Sequence, residues 1–308
     1  MSYDKAMPLI EPAGTMPQFR MNNILVPTDF SEASRLAVKH AQGLSALFGA
    51  QLHLVHVVPT LVPPEAGTEV ERLVNDAKKQ FATFVDEAKL AWPDEKMHVR
   101  YGDLLDELNE FVQENQIDLV VIGSSAREGP TRLLLGSMAE YIFRGLAVPV
   151  LAMGPQVREP LSPKRRIHHI LLCESLVPDA ASAMRYGCAL AENTGAAVTV
   201  VHTLPESLKD SPRALQFQRM FEEELHTGAT RPELFARADY VVTFGDTARE
   251  VVRVANSVRA DLIVLGAKPA EMWQTHLGRG TAFRIVGSAP CPILSVCSAP
   301  TKPGDQEG

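Results

Sequence analysis

Two short stretches of this sequence stand out as strand ends of the kind beyond which open α/β sheets bind ligands. One is Val26-Pro27-Thr28-Asp29, an apolar run that ends in a hydroxyl and a carboxylate. The other is Ile122-Gly123-Ser124-Ser125-Ala126-Arg127, followed by Leu135-Gly136-Ser137-Met138 at the opening of an apolar-periodic segment. Glycine at 123 lets the chain leave a strand with no side chain in a ligand's way. Gly136-Ser137 precedes a predicted helix whose first N–H groups lack intrahelical partners. Those donors, with the helix dipole, suit a phosphate. Arg127 and Arg132, in the loop between, are placed to pair with phosphate oxygens. Each feature also has a plainer reading. Ser137 and Asp29 are natural helix N-caps, and exposed arginines are usually just solvated.

The two stretches meet only if the chain between them alternates strand and helix. Ile24–Thr28 is a short apolar run of the kind buried on both faces of a sheet. Residues 31–48 follow with Ala33, Leu36, Ala37, Ala41 and Leu44 on one helical face, and Gly49 stands where a helix is capped. The spacing then predicts a strand over 52–58, a helix over 69–90, a strand over 97–101 and a helix from Asp103 as N-cap. A strand over 118–123, a helix over 137–144 and a closing strand over 149–153 complete the unit. In such open α/β sheets ligands sit beyond the carboxyl ends of the strands, where the strand order reverses.

The same pattern then recurs. Ile24-Leu25 matches Ile170-Leu171, and without a gap Ala37 falls on Ala183, Leu44 on Leu190, Gly49-Ala50 on Gly195-Ala196, and Val55-His56 on Val201-His202. After a shift in the variable middle, Gly102-Asp103 meets Gly245-Asp246, Asp118-Leu119 meets Asp261-Leu262, Gly123 meets Gly266, and Pro149 meets Pro292. This is a duplicated domain rather than a solenoid. The fold expected is α/β: two tandem doubly wound domains, each a five-stranded, mainly parallel sheet with helices on both faces. The division expected is a tail over 1–21, a first domain over 22–154, a linker over 155–165, a second domain over 166–298 and a tail over 299–308.

Composition narrows the function classes. Of 308 residues, 45% are apolar and 22% charged, so each half can bury a core of its own. A net charge of −7, with Lys164-Arg165-Arg166 as the longest basic run, argues against nucleic acid as a partner and makes that run a solvated part of the linker. No apolar run reaches membrane-spanning length, and the first twenty residues hold no apolar signal segment, so a cytoplasmic location is expected. Cys173, Cys188, Cys291 and Cys297 form no C-x-x-C pair and no metal-ligand spacing, and read as reduced packing residues. His202 repeats His56, which favours a packed or hydrogen-bonded histidine over a metal ligand.

Asn23-Ile-Leu-Val-Pro-Thr-Asp-Phe-Ser-Glu-Ala-Ser34, Leu54-Val-His-Val57, Val121-Ile-Gly-Ser124 and Leu133-Leu-Leu-Gly-Ser-Met-Ala-Glu140 together resemble the universal stress protein family, over both halves. Its ATP-binding members carry glycine, two residues, glycine, nine residues, glycine, then serine or threonine. The first half keeps that spacing as Gly123, Ala126 and Gly136-Ser137, with alanine in place of the middle glycine. The resemblance implies an adenine nucleotide, ATP with or without Mg²⁺, held by Pro27, Thr28, Asp29, Val57, Ile122, Gly123, Ala126, Arg127, Gly136, Ser137 and Met138. Asp29 would meet the ribose or adenine side, Pro27 and Thr28 would shape that pocket, and Val57 would offer main-chain groups. In the second half Ser175 replaces Asp29, Cys173 replaces Pro27 and Pro269 takes the middle position. Arg279-Gly280 aligns with Gly136-Ser137, and a one-residue slip matches Gly280-Thr281 instead. That half is expected to keep the fold without the site and to pair with the first inside one chain, as a stand-in for the family's homodimer; a homodimer of the whole chain stays open.

A stress-response or signalling protein that binds ATP once per chain is therefore expected. The alternatives are a slow ATP hydrolase and a structural or interaction protein without a nucleotide. No G-x-x-x-x-G-K-[ST] loop is present, no placed nucleophile with its base is visible, and no G-x-G-x-x-G follows the first strand, which disfavours a standard NTPase and a dinucleotide dehydrogenase.

Overall fold

The computed structural model describes residues 21–60, 67–87, 96–124, 137–146, 148–157, 159, 161–162, 165–174, 180–211, 216, 219, 237–267 and 280–297. The first half runs β1 (Asn23–Pro27), α1 (Glu32–Phe48), β2 (Gln51–Pro59), α2 (Gly67–Glu87), β3 (Met97–Gly102), α3 (Leu104–Glu114), β4 (Leu119–Gly123), α4 (Ser137–Gly145) and β5 (Val150–Met153). The second runs β6 (His169–Glu174), α5 (Ala180–Thr194), β7 (Ala197–Leu204), β8 (Asp239–Phe244), α6 (Thr247–Val258), β9 (Leu262–Ala267), α7 (Thr281–Ser288) and β10 (Ile293–Cys297). The fold is α/β, as the alternation predicts.

Local chemistry sets these elements. Ser31 caps α1 by accepting from Ser34 N, and Gly49 ends the helix at a φ of 72°. Asp103 caps α3 through Leu105 N and Asp106 N, and its repeat Asp246 caps α6 through Arg249 N. Each half orders its strands with the first in the centre, and the ten strands form one sheet in the order β3-β2-β1-β4-β5-β10-β9-β6-β7-β8. All neighbours are parallel except β5 and β10, which pair antiparallel with Ile293 opposite Ala152 and Ser295 opposite Val150.

This seam changes how the core is built. One apolar layer holds α1, α2 and α5 against a face of the whole sheet, including Val38, Phe84, Ala183 and Leu190. The other holds α3, α4, α6 and α7, with Leu108, Ile142, Val251 and Phe283. Each layer runs through both halves. Phe143 of α4 and Phe283 of α7 meet across the seam at 5.4 Å between ring centroids. A side chain on Gly154 would strike the Val286 carbonyl of α7 at 1.8 Å, so glycine lets the end of β5 close against the other half.

The linker differs in part from the solvated segment expected of it. Arg165 is exposed, but Val157 and Leu161 are buried in the layer beneath α1. Residue 43 must be glycine here, since a Cβ would meet Leu161 O at 1.7 Å. His40, fully buried, accepts from Leu161 N at 3.4 Å through Nδ1. Desolvation, then the Arg165 charge, pushes its pKa down from 6.5 to about 4. A depressed histidine favours the folded chain fully above 6.5 and progressively less as pH falls toward 4. We therefore expect urea-unfolding free energy to drop over that window, with His40 contributing on the order of 3 kcal/mol. His40→Gln should flatten the decline relative to wild type between pH 7 and 4.5; an unchanged slope would mean that the imidazole is not buried neutral.

Candidate nucleotide site

β1 pairs with β2 on one side and β4 on the other, so the crevice at the switch in strand order opens where β1 and β4 end. At the end of β1, Thr28 is buried, and its N–H still donates to Val55 O at 2.8 Å. Its carbonyl turns to His56 Nδ1 at 2.8 Å. Desolvation lowers the His56 pKa, offset in part by this bond and by Asp29, so the ring is neutral at pH 7 and donates through Nδ1–H. His202 makes the matching bond to Glu174 O at 3.0 Å in the second half. Both histidines thus pin the carbonyl that ends the first strand of their half, the hydrogen-bonded role their repetition predicts.

Asp29 is exposed at the mouth of the crevice. It is not the N-cap of α1: that is Ser31, two residues on. Asp29 instead accepts from Ser31 N at 3.1 Å and from the Ser34 hydroxyl at 2.5 Å, both on Oδ1, while its own N–H donates to Ser34 Oγ at 3.2 Å. Partial desolvation raises its pKa, but the Ser31 and Ser34 hydrogen bonds outweigh it and hold the carboxyl below its ordinary value. The carboxylate is therefore charged at neutral pH and fixed in direction by α1's first turn.

Between Asp29 and the cap lies Phe30 at a φ of 62°, the left-handed region that a bulky side chain occupies only at a cost of about 1–3 kcal/mol. Its N–H donates to Thr28 Oγ1 at 3.0 Å. Its ring stacks on His56 at 4.4 Å and meets Phe81 and Phe84 of α2 edge-on at 5.2 and 5.7 Å.

Across the crevice, Gly123 ends β4. A Cβ there would stand 1.9 Å from Ala33 O in the first turn of α1. Glycine is thus required first by helix packing, a different reason from ligand access, and this approach sets the end of β4 beside the Asp29 cluster. Ser124 follows, with its N–H bonded to Met153 O at 2.8 Å and its hydroxyl buried without a partner. Pro27 is buried at the end of β1. Val57 and Ile122 turn their side chains into the layer under α3 and α4, so only their main chains are candidates for a ligand. Val57 lies two residues past Val55, the partner of Pro27, so its peptide groups face the space beyond β1. Met138, on α4, is 37% exposed. Ala126, Arg127, Arg132 and Gly136 lie outside the described residues, as does the Ser137 side chain. So do Ser175, Pro269 and Arg279 of the second half. There α7 begins at Thr281 after Gly280, as α4 begins at Ser137, so position in the fold supports the slipped match.

Sequence reasoning missed Ser34, Phe30 and Ser124 as parts of this cluster. The S-x-x-S spacing of Ser31 and Ser34 was a signal for the first; left-handed backbone at a phenylalanine has none. Among the described residues no group of three or more His, Cys, Asp or Glu is placed to hold a metal ion, and no helix is long and apolar enough to cross a membrane.

The sequence profile of the universal stress protein family matches residues 21–153 and again 166–296. This chain belongs to the universal stress protein family. It carries two of the family's domains in tandem. Universal stress protein G of Shigella flexneri is 35% identical over 139 residues, which are 42% of this chain and 96% of the relative. A universal stress protein of Methanocaldococcus jannaschii is 29% identical over 143 residues, 44% of this chain and 84% of the relative. The crystal structure of a universal stress protein from Archaeoglobus fulgidus superposes with a TM-score of 0.68 at 17% identity, covering 91% of this chain and all 100% of that one. At that identity the likeness concerns the fold.

The packing at Gly123 yields a direct test. Gly123→Ala should lower unfolding free energy by about 1–3 kcal/mol without any ligand present, because α1 must shift off β4. An unchanged melting temperature in ligand-free protein would leave ligand access as the only reason for the glycine.

Proposed function

We propose that this tandem universal stress protein binds one adenine nucleotide per chain, ATP with or without Mg²⁺, at the carboxyl ends of β1 and β4 in its first half. Its role would lie in stress response or signalling. The observation that carries this reading is the Asp29 carboxylate, charged, exposed and held through Oδ1 by Ser31 and Ser34, with Oδ2 left to accept from a ribose hydroxyl. Val57's peptide groups, beyond the end of β1, suit an adenine edge. Ser124, with its unpartnered hydroxyl, directly precedes in sequence the segment that carries Ala126, Arg127 and Gly136. The first N–H groups of α4, which have no intrahelical partners, would then face the phosphates. Met138, in that helix's first turn, is the remaining contact proposed.

The second half is proposed to be a built-in partner rather than a second site. Glu174 stands where the first half has Thr28, placing a carboxylate at the strand end, and Ser175 replaces Asp29. The seam between β5 and β10 supports this role, since it joins the halves edge to edge.

Protein purified under native conditions and then denatured should release adenine nucleotide, and Mg-ATP should raise the melting temperature of stripped protein with concentration. Calorimetry should count one site per chain. Asp29→Ala and Gly136→Val should each weaken binding at least tenfold, about 1.4 kcal/mol. Absence of any shift at millimolar ATP, with no nucleotide released, would overturn the proposal. Phosphate release above a blank, lost in Asp29→Ala, would move it to slow hydrolysis.

A further inference from the structure

Asp29 is exposed, yet its direction is fixed, and the residues that fix it lie on either side of it. Toward the N-terminus, Thr28 is held by His56 Nδ1 on its carbonyl. Toward the C-terminus, Phe30 is held at a φ of 62° by the Thr28 hydroxyl on its N–H and by its ring in a socket of His56, Phe81 and Phe84. One imidazole therefore grips both neighbours of the carboxylate, Thr28 through its nitrogen and Phe30 through its face. Phe81 and Phe84 are each 2% exposed and belong to α2. The left-handed turn at Phe30 folds the chain back so that Ser31 N and the Ser34 hydroxyl both reach Asp29 Oδ1. Glycine would take that backbone without strain. The phenylalanine is strained and anchored, and strain persists where the surroundings over-determine it, which is commonest at functional sites.

We infer that Phe30 is a positioning residue for Asp29: its ring, locked between β2 and α2, holds the carboxylate in the direction in which it meets the nucleotide. This rests on the nucleotide reading above for its consequence, but its geometric part does not. With its ring packed on His56, Phe81 and Phe84, residue 30 is inferred to act on affinity through residue 29.

The test uses the full chain with Phe30→Gly, which permits the backbone and removes the anchor, and Phe30→Tyr, which keeps the ring. Without nucleotide, the Asp29 carboxyl is titrated by carbon NMR. It should titrate below the ordinary aspartate range in wild type and Phe30→Tyr and return toward that range in Phe30→Gly, as Ser31 and Ser34 lose their hold. With Mg-ATP, Phe30→Gly should bind about tenfold more weakly and Phe30→Tyr within about twofold of wild type. In an Asp29→Ala background, Phe30→Gly should cost less than twofold more, since coupled residues are not additive. If Phe30→Gly does not fold, Phe84→Leu, which removes one wall of the socket, should shift the Asp29 titration in the same direction by a smaller amount. An Asp29 titration unmoved by loss of the ring overturns the inference. So does a further tenfold loss in the Asp29→Ala background. If wild type binds no nucleotide, the function proposed above fails by itself, and the titration still decides the role of Phe30.

Discussion

The antiparallel contact between β5 and β10 is the interaction on which the molecule is built. Its ladder is short, and each backbone hydrogen bond contributes only about 0.5–1.5 kcal/mol net. Its larger effect is geometric. By joining two five-stranded sheets edge to edge, it lets both apolar layers pass from one half to the other. Phe143 and Phe283 meet there, and burying one such side chain is worth about 1.5–3 kcal/mol. The seam thus gathers apolar cover far beyond its own hydrogen bonds, and it removes an edge on each half that would otherwise be open to pairing.

The linker follows from the same constraint. With the halves fixed side by side, described residues of the segment between them lie against α1. Leu161 is buried, His40 supplies an acceptor for its N–H, and Gly43 leaves room for its carbonyl. A charged, proline-bearing stretch therefore anchors its apolar residues in the core and leaves Arg165 outside, paired with Glu159.

Duplication has kept the scaffold and altered the strand ends. His56 and His202 make the same bond, and Asp103 and Asp246 cap equivalent helices. At the ends of β1 and β6, by contrast, the first half presents Thr28-Asp29 and the second Glu174-Ser175. Residues that hold backbone together repeat, whereas Thr28-Asp29 at the end of β1 do not. Asp246 also takes a bidentate pair with Arg284 of α7 at 2.7 and 2.8 Å.

The sequence by itself determined the repeat, the alternation of strand and helix, and the caps at Gly49 and Asp103, because these depend on periodicity and on side chains bonding to their own neighbours. It also singled out Asp29 and Gly123, since a carboxylate and a glycine at strand ends stand out against apolar runs. Only the tertiary structure decided that the two sheets are one, that the linker is docked, and that Gly123 is demanded by the Ala33 carbonyl. It alone showed that Ser31 rather than Asp29 caps α1, and that Phe30 is strained between β2 and α2. Those outcomes turn on which atoms far apart in the chain approach within a few ångströms, and no local pattern of residue types records that distance.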